Sequence, residues 1–234
     1  MASATRSTLR ATRMSFVLSR GTSFCETGGH FIFLDLAGDR YHALTDEAEQ
    51  SFRRLSTGAR LTSRDRAVLP GLVADGLLLP TSDDRRPVAC PAPARPERSL
   101  VDEDCPVPSK TLGRTLFRLA QSSLMLKLRP LRAVLRGLEE RKRRRNAPRQ
   151  PSIATLVEVA TAFRRGALVV APLDQCLPSS IAVAHALLDR RCRPDLVIGV
   201  RLQPFGAHCW VQHGNIVLNE SLDQVRNFTP ILVV

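Results

Sequence analysis

Leu173-Asp174-Gln175-Cys176-Leu177-Pro178-Ser179-Ser180 is the stretch on which the second half of the chain turns. A polar residue, a cysteine and a nearby proline precede apolar positions at Ile181, Ala184 and Leu188; with Leu177 these predict a helix that begins at the thiol. A thiol there meets the positive end of the helix dipole and the unsatisfied N–H groups of the first turn. Both favour thiolate, the nucleophilic form. Downstream, Ala207-His208-Cys209-Trp210-Val211-Gln212 reads as a strand. A cysteine at a helix start with a histidine on a later strand suits acyl-transfer chemistry. The same residues also fit a small buried apolar thiol and a structural histidine, and spacing alone leaves both open.

Beyond the Cys176 helix, which closes at Asp189-Arg190-Arg191, residues 196–202 read as a buried strand. Residues 208–212 and 216–220 make a hairpin about His213-Gly214-Asn215. The apolar run 228–234 reads as a further strand tucked into the fold. Upstream, residues 152–165 predict a helix ending in Arg164-Arg165-Gly166, where cations and glycine suit a C-terminus. Residues 110–138 predict helix interrupted at Arg129-Pro130. From Lys110 to Arg149 there are 13 Lys/Arg against Glu139 and Glu140, a net charge of +11 out of +12 for the chain. This basic segment fits a nucleic-acid patch, a membrane-surface helix, or a docking helix with a charged outer face that touches an acidic partner or lipid peripherally.

Residues 81–109 are a proline-rich linker, with seven of the 16 prolines between Pro80 and Pro108. Before it, residues 14–80 follow a β, β, β, then helix pattern. The strands are Phe16-Val17-Leu18, Phe31 to Leu36 and Arg40 to Leu44, with Gly28-Gly29 and Ala37-Gly38-Asp39 as turns. Thr45 caps a helix whose inner stripe is Ala48, Phe52 and Leu55, and a second helix follows Leu61-Thr62. The result is a winged-helix-like unit. Its acids and bases nearly balance, so it lacks a phosphate-binding footprint and no specific nucleic acid is expected. Such a unit can instead accept a peptide along an exposed strand. Residues 1–13, rich in Ser, Thr and Arg, read as a disordered arm.

With 234 residues and 44% hydrophobic content, the chain can build one large domain or two small ones. No run approaches the length of a membrane span. The six cysteines show no C-x-x-C pair and no metal-ligand spacing, so they read as reduced thiols in a cytoplasmic protein without a metal or other cofactor.

Cys176-Leu177-Pro178, Asp195 to Val200, Ala207-His208-Cys209-Trp210-Val211 and Phe228-Thr229-Pro230-Ile231-Leu232, in that order, resemble the lasso peptide biosynthesis B proteins. These are transglutaminase-like cysteine proteases that remove the leader from a lasso precursor. Residues 33–36 and 40–44 resemble the family's leader-recognition domain. The resemblance implies an α+β protein: a winged-helix-like peptide-recognition domain at 14–80, then a transglutaminase/papain-like cysteine protease domain at 110–234. It implies leader binding as an added strand at Tyr41, His42 and Leu44, against the helix carrying Val68, Leu72 and Val73. It further implies Cys176 as nucleophile, His208 as general base, and partnership with the lasso precursor peptide and an asparagine-synthetase-like cyclase.

The family's third residue is an Asp twelve positions after the histidine, and here that position is Glu220. A three-residue loop at 213–215 pairs 208 with 220 and puts Glu220 beside the imidazole. A two-residue loop at Gly214-Asn215 pairs 208 with 221 and brings Asn219 round instead. Glu220 is the expected partner, with Asn219 and Asp223 as alternatives. Ser179 also departs from the arginine of many relatives. Cys209 alternates to the face away from His208 and reads as packing, while His30, His42, His185 and His213 read as structural or surface residues. Two other functions compete: a non-catalytic chaperone delivering the precursor to the cyclase, if Glu220 cannot support His208, and a basic nucleic-acid-binding regulator.

Overall fold

The computed structural model describes residues 15–83, 85–144, 150–170 and 176–234. The arm expected at 1–13, Arg145 of the basic run and Leu173-Asp174-Gln175 lie outside the described residues. In chain order the first elements are β1 (Ser15–Leu18), β2 (Thr22–Thr27), β3 (His30–Asp35), β4 (Arg40–Ala43), α1 (Asp46–Thr57), α2 (Ser63–Ala74), β5 (Leu78–Thr81) and β6 (Arg98–Ser99). There follow α3 (Ser109–Leu128), α4 (Leu131–Arg144), α5 (Ile153–Val170), α6 (Cys176–Asp189), β7 (Asp195–Arg201), β8 (Gly206–His213), β9 (Ile216–Val217), α7 (Leu222–Arg226) and β10 (Thr229–Val233). This mixture of helix and sheet divides into two compact units, one made of the residues up to Arg20 with Leu44–Val88, the other of Gly21–Ala43 with Ala89–Val234. The segment expected to form one domain at 14–80 is thus shared: its helices lie in the smaller unit and β2, β3 and β4 in the larger.

In the smaller unit β1 pairs antiparallel with β5. Thr45 caps α1 by accepting the Ala48 N–H, and Thr62 with Asp65 forms a capping box at the start of α2. The Asp65 carboxylate also takes the Arg54 guanidinium at 3.0 Å, joining the end of α1 to the start of α2. Phe16, Phe52, Leu69 and Leu78 are buried.

The larger unit holds two sheets, an antiparallel one in the order β2-β3-β4 and a five-stranded one in the order β10-β7-β8-β9-β6. Strand β3 is buried on both faces, as its run of apolar residues requires. Ile32 and Leu34 join the main core with Val200 and Ile231, while Phe33 stacks on Phe24. Thr27 and Thr229, 202 residues apart, bond through their hydroxyls at 2.9 Å and fix β2 to β10. Helix α6 has no charged residue before Asp189, and its buried Ile181, Val183, Ala184, Leu187 and Leu188 form the centre of the core.

Two expectations change here. The helix predicted to stop at Gly166 runs on through Val170. Gly166 is a packing residue, since a Cβ there would lie 3.1 Å from Thr115 and 3.2 Å from Leu119 of α3. The proline-rich stretch is also no free linker throughout. β6 pairs in parallel with β9, Leu100 is fully buried, and Asp104 takes Arg164 and Arg165 of α5 at 2.8 and 2.9 Å. The basic segment is partly neutralised at home: Arg118 and Arg141 both pair with Asp189, and Lys142 pairs with Asp195 at 2.7 Å. Arg114 and Arg118 line a cleft of about 450 Å³ with Phe163 and Asp189; none of Cys176, His208 and Glu220 lines it. Among the described residues no helix is long and apolar enough to cross a membrane.

Candidate functional site

Cys176 is the first described residue of α6, so the thiol lies in the first described turn of that helix. His208 lies in β8, paired with Gly199 of β7. The lack of a side chain at Gly199 is what lets its neighbours close in: a Cβ there would lie 2.8 Å from the Trp210 ring and 2.9 Å from Phe228 Cβ. Phe228 in turn faces the imidazole, centroid to centroid at 5.4 Å, and carries the Arg201 guanidinium 5.3 Å from its ring centre. Cys209 points to the other face, into the core, as the alternation predicts.

His208 Nε2 meets Glu220 Oε2 at 2.7 Å. Cys176 and His208 lie close enough to shift each other's proton affinity, and Nδ1 is the His208 nitrogen that Glu220 does not take. The structure therefore brings Cys176, His208 and Glu220 together around one imidazole. The hydrogen bond from His208 lowers the Cys176 pKa from its ordinary value; burial opposes this, and the backbone N–H groups of Cys209 and Leu177 assist it. The same bond to Cys176, followed by the one to Glu220, raises His208 to about 9. Burial pushes the Glu220 carboxyl up, but His208 and the Ser221 N–H together bring it below its ordinary value. A thiol shifted down beside an imidazole shifted up favours a thiolate–imidazolium pair over two neutral groups. Burial instead holds the thiols of Cys25, Cys90, Cys192 and Cys209 up, so they are poor nucleophiles.

The hairpin register differs from the one that favoured Glu220. His213 pairs with Ile216 and Gln212 with Val217, so the loop has two residues, Gly214 and Asn215. Regular extension would set 208 against 221. Strand β9 ends at Val217, however, and residues 218–220 bend, which returns the longer glutamate side chain to the imidazole. Asn219 does a different job. Its Oδ1 accepts the Val211 N–H at 2.8 Å, and its Nδ2 donates to Ser180 Oγ at 2.9 Å, which itself donates to the Cys209 carbonyl. Asp223 sits in the first turn of α7.

Sequence reading missed this Ser180–Asn219 clamp and also Ser99. The Ser99 hydroxyl, on β6, donates to the Glu220 carbonyl at 2.6 Å and so ties the proline-rich segment to the acid's backbone. The only signal for the clamp was the position of Ser180, one turn after Cys176 on a helix otherwise apolar at its buried positions. Replacing Asn219 by Ala leaves the Val211 N–H without its acceptor and takes one donor from the buried Ser180 hydroxyl, which keeps its bond to the Cys209 carbonyl. It is expected to cost roughly 2–3 kcal/mol of folding stability, read from the urea midpoint, and to leave the alkaline limit of activity in place. Nothing in the structure explains serine at 179.

The other residues singled out fall into separate places. Tyr41 and His42 lie in β4, at the edge of the β2-β3-β4 sheet. Leu44, Val68, Leu72 and Val73 belong to the smaller unit, where Leu72 is buried in the core and Val68 and Val73 are half-buried. His185 is driven down to about 4 by burial and by Arg141, whose Nη1 lies 2.9 Å from its Nδ1, so it is a neutral packing residue. His213 contacts the Arg193 carbonyl at 3.2 Å. Among the described residues no cluster of three or more His, Cys, Asp and Glu could hold a metal ion.

Comparison with known proteins places this geometry in context. The family model described as the transglutaminase-like superfamily matches residues 119–233, which contain all three site residues. The microcin J25-processing protein McjB of Escherichia coli is 44% identical over 48 residues, 20% of this chain and 23% of that protein. Together these matches bear out the resemblance to the lasso peptide biosynthesis B proteins. No solved structure matches the chain.

Proposed function

We propose that this chain, transglutaminase-like over residues 119–233, is the leader peptidase of a lasso peptide pathway, a cysteine protease that cuts the bond between leader and core. The observation that carries the reading is the 2.7 Å His208–Glu220 contact on an imidazole that also shifts the Cys176 thiol toward thiolate. The Cys176 thiolate attacks the carbonyl carbon of the scissile bond. The tetrahedral intermediate collapses as His208, an imidazolium, gives its proton to the leaving amine of the core peptide. Water then attacks the thioester, His208 takes its proton, and the leader leaves as a carboxylic acid with the thiol regenerated. Glu220 orients the imidazole and offsets its charge while it is protonated.

In this reading the leader pairs with the free edge of β4, where main-chain hydrogen bonds supply affinity, and the freed core passes to an asparagine-synthetase-like cyclase. The chaperone alternative needed a Glu220 unable to reach His208, and the close contact supports catalysis instead. The nucleic-acid alternative loses force because Arg118, Arg141 and Lys142 are engaged by Asp189 and Asp195. The test is mass spectrometry of a cognate precursor incubated with the purified chain. One cut at the leader–core junction is expected; an uncut precursor that is nevertheless bound, with cyclase and ATP also present, would favour the chaperone.

A further inference from the structure

Two large, partly exposed aromatic side chains meet beside the candidate site within the larger unit. Tyr41, on edge strand β4, is 37% exposed; Phe205, in the turn before β8 and three residues ahead of His208, is 53% exposed. Their rings touch edge to face, with centroids 5.5 Å apart and planes at 67°. Burial is the main reason the Tyr41 phenol is pushed up to about 12. The phenol thus stays protonated, and the wall it forms with Phe205 is neutral and apolar.

We infer that Tyr41 and Phe205 form a substrate subsite that receives an uncharged, apolar side chain of the leader, within a few residues before the scissile bond. The inference rests on the protease reading above. A leader strand paired with β4 passes Tyr41 before it reaches Cys176, so the residue laid on this wall belongs to the leader side of the bond. An edge-to-face aromatic pair offers broad apolar contact to one side chain. An acidic side chain laid on this wall would give up its hydration against two aromatic rings that offer it no cation, so the subsite rejects it. The strand that binds the leader would in this way also select the residue delivered to the nucleophile.

The experiment measures kcat/KM of the full chain and of Phe205→Ala on a cognate precursor and on precursors with Ala or Asp at each of the four residues before the cut. Phe205→Ala is expected to lose roughly 10- to 30-fold on the native precursor, the scale of one apolar side-chain contact. That loss should shrink to about twofold on the one precursor variant whose contacted residue is already Ala. The Asp variant at the same position should be the poorest substrate of the native chain. The rate of Cys176 alkylation by iodoacetamide reports whether the site survives in Phe205→Ala, and it should not change. Cleavage by Phe205→Ala at the native rate overturns the subsite, and so does a loss of equal size on every precursor. If the native chain fails to cut any precursor, it is the protease reading that falls.

Discussion

Cys176→Ala is expected to release no measurable leader, a fall of at least ~10⁴-fold in single-turnover rate, while leader affinity stays within about twofold of the native chain. The size follows from removing the nucleophile of a unit whose members act together, where loss of one costs about as much as loss of all. Affinity should survive because the proposed leader contacts lie along β4, and the substitution removes one half-buried sulfur from the start of α6. The measurement pairs quenched-flow mass spectrometry with anisotropy of a labelled leader. Residual cleavage within a hundredfold of native would assign the chemistry to another group.

The second large effect belongs to Glu220→Gln. Glutamine keeps the length of the side chain and can still meet the imidazole, but it removes the negative charge that helps hold His208 protonated up to about 9. The sign is fixed by that shift. The imidazolium of the reactive pair persists below the His208 pKa and is lost as pH rises through it, so weakening the shift moves the alkaline limit of activity to lower pH. The hydrogen bond to Cys176 is the largest contribution and remains, so the limit should stop above the ordinary histidine value of roughly 6.5. A loss of ~10²–10⁴-fold in kcat/KM is expected near neutrality, in line with neutralising the orienting acid of a triad. Glu220→Asp separates charge from reach: it should keep the alkaline limb near its native position yet lose rate, because the bend after Val217 places the carboxylate for the longer side chain. A Glu220→Gln profile that overlays the native one at full rate would remove Glu220 from the mechanism.

The parts of this architecture that were legible in sequence are those set by local pattern. The helix at Cys176 announced itself by the proline and the apolar spacing, the break at Pro130 by a ring that cannot continue a helix, and β7 and β10 by unbroken apolar runs. What was not legible depends on partners far along the chain. Strand β2, Thr22–Thr27, is short and half polar, and it is a strand because β3 lies on one side and β10 packs against it. The two residues of β6 sit among prolines and find their sheet through β9, more than a hundred positions away. Gly166 carried the signal of a helix end but serves contact with α3. The hairpin is the instructive case. Two loop lengths fitted the residues, the observed one was the less favourable to Glu220, and the contact forms because the strand stops early. Ser99 carries no mark in the sequence that distinguishes it from other polar residues, and Asn219, legible as an alternative partner of His208, holds the backbone around that bend instead.

The most direct test of the central claim, that Cys176 is a thiolate paired with an imidazolium, is the pH dependence of its alkylation. Iodoacetamide rate constants would be taken on the native full chain across pH 5 to 10 and assigned to Cys176 by peptide mapping. The account predicts reaction that extends below the ordinary thiol range of roughly 8.5, a second limb near 9 as His208 loses its proton, and slow reaction of Cys25 and Cys209 throughout. A Cys176 that titrates once, at or above the ordinary thiol value, would contradict it.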